Sequence, residues 1–159
     1  ARSCSLDISE TSRIKDMLGL LSLYFDKPLI LINHQLDKQT KQMVCGYALG
    51  HYLEHQLLMD LHTLNKFLTI KDKHILLYEH NAFTSHLMLD SDEVYQMTKR
   101  GLDAAQISAA KRIHLNLVLV KLLELHHLGY DLRHYHAQHH AFIKQFNLPA
   151  HFQFDVAAG

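Results

Sequence analysis

The chain has 159 residues, enough for one domain to close a hydrophobic core without a metal or disulfide staple. Lys plus Arg and Asp plus Glu both number 16, so the charge balance excludes a basic nucleic-acid tail or a strongly charged membrane-binding surface. Two prolines and six glycines leave few turn residues, which disfavours sandwiches and barrels, and 48% apolar residues with 20% charged ones disfavour disorder.

The longest apolar runs, residues 28–32 and 115–120, fall far short of the roughly 20 residues of a membrane helix. No basic, apolar, small-residue leader opens the sequence, and only Cys4 and Cys45 occur, so a cytoplasmic, reducing setting is expected, with no membrane association. Histidine is the exception to an ordinary composition. There are 15, six of them from His126 to His140, so acidification through their titration range would make the chain strongly positive.

In chain order, residues 10–25 carry Ile14, Met17, Leu18, Leu21 and Tyr24 at three- and four-residue spacing, which predicts an amphipathic helix. Lys27-Pro28 breaks it, and the short β-branched run of residues 29–33 predicts a buried strand. Asp37 is a candidate cap for a helix over residues 37–59, with Met43, Val44, Tyr47, Ala48, His51, Tyr52 and His55 on its recurring positions. Asp72 would cap another helix, over residues 73–89, which runs out at Asp90-Ser91-Asp92. Those carboxylates suit the start of a further short helix better than a hard-cation site. Two short helices across a tight turn follow, a helix-turn-helix outline over about residues 101–130. The second of these is mostly apolar, offering few groups to bases or phosphates, so core packing is expected there and a nucleic-acid partner is not. The His-rich, aromatic tail covers about residues 131–159, and His136 and His140 stand there at chelating spacing without an accompanying Cys or carboxylate. No linker or repeat divides the chain, so residues 1–159 are expected to form one domain.

The chemistry-bearing residues lie on the helix over 37–59. It reads Val44-Cys45-Gly46-Tyr47-Ala48-Leu49-Gly50-His51-Tyr52-Leu53-Glu54-His55, after the strand Ile30-Leu31-Ile32-Asn33. Downstream stand Glu79-His80-Asn81-Ala82-Phe83 and Leu87-Met88-Leu89. These two motifs and their spacing resemble the ImmA/IrrE family of metallopeptidase-like proteins, over most of residues 30–132. The resemblance implies a zincin-like core: an α+β, mostly helical fold, with a small sheet under the two motif helices and a helix-turn-helix-like helical part behind. It implies a missing N-terminal helix or strand, a prophage or mobile-element setting, repressor or stress control, and a protein partner such as a helix-turn-helix repressor.

Where the family has the first histidine and the glutamate of H-E-x-x-H, this chain has Tyr47 and Ala48. Two imidazoles at i and i+4 chelate zinc while the glutamate takes a proton from bound water. Alanine cannot be a base, and a phenol ordinarily loses its proton near pH 10. A catalytically degenerate protein that binds its partner without cutting it is therefore expected, with no cofactor. The alternative is a shifted zinc site in the inverted order H-x-x-E-H, with His51 and His55 as ligands, Glu79 as the third ligand and Glu54 as general base. Moving one helical turn carries the metal about 5.4 Å, a long reach for Glu79. Tyr47 is expected to fill the vacated family position with its ring, its hydroxyl reaching His51 or Glu79.

Overall fold

The computed structural model describes residues 6–25, 27–57 and 78–132, the side chains of Leu23 and residues 55–57 excepted. Its elements run β1 (Asp7–Thr11), β2 (Gly19–Tyr24), β3 (Lys27–Asn33), α1 (Lys38–Leu57), α2 (Tyr78–Met88), α3 (Ser91–Lys99), α4 (Ala104–Lys111) and α5 (Leu115–His127). The fold is α+β and mostly helical.

β3 is the central strand of a sheet ordered β1-β3-β2, parallel to β1 and antiparallel to β2. Its burial alternates, placing Ile30 and Ile32 under α1, where they pack with Leu21, Val44, Ala48 and Tyr52. Pro28 is accommodated near the start of the strand, one residue before pairing with β1 begins at Leu29.

The helix expected over residues 10–25 does not form: the segment contributes β1 and β2 instead. Both strands gain their backbone partners from β3, a non-local pairing that the three-and-four spacing of their apolar residues does not report. Between them the chain is held by Asn33, whose Nδ2 donates to the carbonyls of Ile14 (3.1 Å) and Met17 (3.0 Å) while its Oδ1 accepts from Gln35 N. The β2–β3 turn places Phe25 at φ 49°, 82% exposed at the tip.

Asp37 caps α1, accepting from the backbone N–H and the hydroxyl of Thr40, which hold its carboxyl below the usual value. The described part of the second motif helix begins at Tyr78, and the candidate cap Asp72 lies outside the described residues, as does the His-rich tail. Asp90 caps α3 through Glu93 N, and Asp103 with Gln106 forms a capping box on α4. Arg112 ends α4 in the left-handed region at φ 54°. A glycine adopts that region without the Cβ penalty, so Arg112→Gly is expected to stabilise the fold by about 0.5–1 kcal/mol, read from the urea midpoint.

α4 and α5 complete the helix-turn-helix outline, but α5 is buried from Leu117 to Leu123. It is the spine of the second core cluster, packed with Leu89, Val94, Ile107 and Ile113, and its middle is closed to a DNA groove. Among the described residues, no helix is long and apolar enough to cross a membrane.

Lys121 of α5 is only 1% exposed. Its Nζ lies 2.7 Å from His86 Nδ1, while Glu124 meets His86 Nε2 at 3.3 Å and accepts from the hydroxyl of Tyr78. Burial pushes the Lys121 ammonium below its ordinary pKa, opposed by Asp90 and Glu124. Between that lowered value and 10.5 the unfolded chain holds the Lys121 proton more tightly than the folded chain, so Lys121 makes stability rise with pH through this window. Above pH 10 the raised pKa values of Tyr47 and Tyr78 act in the opposite direction. Urea midpoints from pH 7 to 10 are expected to show a positive Lys121 contribution as the difference between the parent and Lys121→Met; equal slopes would remove it.

Candidate metal centre

α1 and α2 approach closely because α1 presents Gly46 and Gly50, one helical turn apart, to α2. A Cβ at Gly46 would stand 2.4 Å from Thr84 Cγ2, and one at Gly50 would stand 2.9 Å from Phe83 Cδ1 and 3.5 Å from His80 Cδ2. Thr84, fully buried, also donates its hydroxyl to the His80 carbonyl at 2.6 Å. This contact carries His80 over the motif face of α1.

There, the His80 ring stands edge-on to Tyr47 (centroids 5.0 Å) and to His51 (5.1 Å). Its Nε2 lies 2.7 Å from Glu54 Oε2. His80 is 4% exposed and its Nδ1 has no hydrogen-bond partner among the described residues, whereas the Glu54 side chain is 55% exposed. His51, Glu54 and His80 each bring one ligand atom to within 4.8 Å of the others.

His51 and Glu54, both anticipated from the sequence, are thus brought together. Glu79 is exposed and lies outside the group, and the side chain of His55 is not among those described. The acidic member of the downstream motif points sequence reasoning to Glu79, one residue short of His80. The available signal was helical phase: His80, Asn81, Thr84 and Ser85 form the buried stripe of α2, and position 79 falls on the opposite, exposed face of the helix.

The family position itself does not fit zinc. Tyr47 replaces the first ligand, and burial, followed by the charge of Glu54, pushes its phenol up to about 12. It keeps its proton at neutral pH, and its ring stands edge-on to His80. Ala48, at the position of the base, has no exposure and lies among Leu21, Ile30, Ile32 and Tyr52. One turn further on, two imidazoles and a carboxylate form a donor set suited to zinc. Cys45, half-buried with its thiol pKa raised by burial, packs against the sheet-facing cluster.

A helix bearing the motif, laid on a three-stranded sheet and crossed by a second motif helix, defines a metallopeptidase-like domain. The family model described as IrrE N-terminal-like domain, of the M78 peptidases, matches residues 9–123, and the chain belongs to this ImmA/IrrE family. No curated protein and no solved structure matched.

Proposed function

We propose that this chain is a catalytically degenerate member of its family that binds a protein partner without cleaving it, in repressor or stress control on a prophage or other mobile element. The observation that carries this reading is Ala48: the position of the catalytic carboxylate is occupied by a methyl group with no exposure, packed onto the sheet. Tyr47 adds to it, since a phenol protonated to about pH 12 leaves the first ligand position without a donor at neutral pH. The partner class, a helix-turn-helix repressor, comes from the family alone.

The test is sedimentation velocity of the zinc-supplemented chain mixed with such a repressor, followed by gel analysis of the same sample. A faster-sedimenting complex containing two intact polypeptides is expected. A shortened repressor whose formation is abolished by His51→Ala would overturn the reading.

The grouping of His51, Glu54 and His80 favours a second reading, a zinc peptidase at a shifted site. When bound there, zinc would polarise a carbonyl. Glu54 is the half-exposed carboxylate that could move a proton, although its contact with His80 Nε2 equally suits a ligand. His51-dependent cleavage in the same experiment would select this second reading.

A further inference from the structure

We propose that His51 and Glu54 of α1 and His80 of α2 form a three-ligand site for a borderline divalent transition ion, with zinc as the reference ion, and that the ion staples the two helices together. The site lies one helical turn from the family's metal position and shares only His51 with it. It does not depend on the proposed function, because a staple between helices works whether or not peptides are cut.

The geometry is close to what such an ion requires. Zinc bonds of about 2.0–2.1 Å at tetrahedral angles put ligand atoms about 3.3 Å apart. Glu54 Oε2 and His80 Nε2 stand at 2.7 Å, so they need to part by only about half an ångström. The remaining separations are all within 4.8 Å, so reaching about 3.3 Å asks for changes of no more than about 1.5 Å. The flexible member is Glu54, whose exposed side chain can retreat, while His80 is held by burial and by the Thr84–carbonyl hydrogen bond at its own residue. Two nitrogen donors and one oxygen select zinc, iron(II), cobalt(II) or nickel(II) over magnesium and calcium, which prefer all-oxygen shells. The exposed Glu54 leaves the ion an entry path.

The test uses the untagged full chain, stripped with a chelator, in a His136→Ala, His140→Ala background that removes the tail pair. Zinc per chain is measured by mass spectrometry after equilibrium dialysis, and the thermal midpoint with and without zinc is recorded. One zinc per chain is expected. At a zinc concentration of about 100 times Kd, the midpoint should rise by about 5–10 °C. Glu54→Gln, at an exposed side chain that leaves folding intact, should weaken zinc binding at least about tenfold and abolish the midpoint rise. His80→Ala should do the same, with circular dichroism reporting whether it folds. Cobalt(II) should give visible absorption bands in the parent that Glu54→Gln alters. Absence of zinc in the background protein, or equal occupancy in Glu54→Gln (an adventitious ion only), overturns the proposal.

Discussion

Installing Glu at position 48 together with His at position 47 is expected to unfold the protein at lower urea rather than create a peptidase. Ala48 has no exposure, and its neighbours Leu21, Ile30, Ile32, Val44 and Tyr52 are apolar apart from the one phenol. A carboxylate there either loses its hydration without compensating partners or takes up a proton and ceases to be a base at neutral pH. The added side-chain volume must also be fitted into a packed sheet–helix interface. Ala48→Glu alone should cost about 3 kcal/mol or more, read from the urea midpoint, and the double variant Tyr47→His, Ala48→Glu should show no zinc-dependent cleavage. A double variant as stable as the parent and active on peptides would mean that the scaffold keeps room for the missing base.

The second large effect lies at the helix crossing. In Gly46→Ala, the new methyl group meets Thr84 Cγ2 at 2.4 Å, and Thr84 cannot turn away without breaking its hydrogen bond to the His80 carbonyl. Overpacking costs of about 1–3 kcal/mol, reduced by the roughly 1 kcal/mol that alanine gains over glycine in a helix, leave a net loss of up to about 2 kcal/mol. Thr84→Ser removes the obstructing methyl and keeps the hydroxyl, so Gly46→Ala should cost less in a Thr84→Ser background, a coupling of at least about 0.5 kcal/mol in a double-mutant cycle. Additive effects would mean that α1 and α2 do not meet through this pair.

Much of the fold was legible where local pattern and tertiary environment agree. β3 announced itself through Ile30-Leu31-Ile32, whose two isoleucines are buried because α1 packs on that face of the central strand. The caps Asp37 and Asp90 and the turn between α4 and α5 follow from short-range hydrogen bonding, which sequence states directly. β1 and β2 were not legible. Asp7–Thr11 is almost wholly exposed, so it lacks an apolar face to reveal it, and the residues of Gly19–Tyr24 continue a spacing that also suits a helix. Both exist because β3 offers them hydrogen bonds, which is information held elsewhere in the chain.

The candidate site divides along the same line. His51 and Glu54 belong to one helix, so their proximity follows from three-residue spacing alone. His80 joins them only through the crossing of α1 and α2, whose register is set by Gly46, Gly50 and Thr84. Reading the downstream motif for an acidic residue leads to Glu79, whereas the buried stripe of α2 carries the neighbouring imidazole inward.

The most direct test of the central claim, that the hydrolytic centre of the family is missing here, is exposure of a complex peptide mixture to the zinc-loaded chain, with new termini counted by mass spectrometry. No new termini above those in a chain-free control are expected. Cleavage that grows with zinc loading and disappears in His51→Ala would contradict the claim and establish a working peptidase.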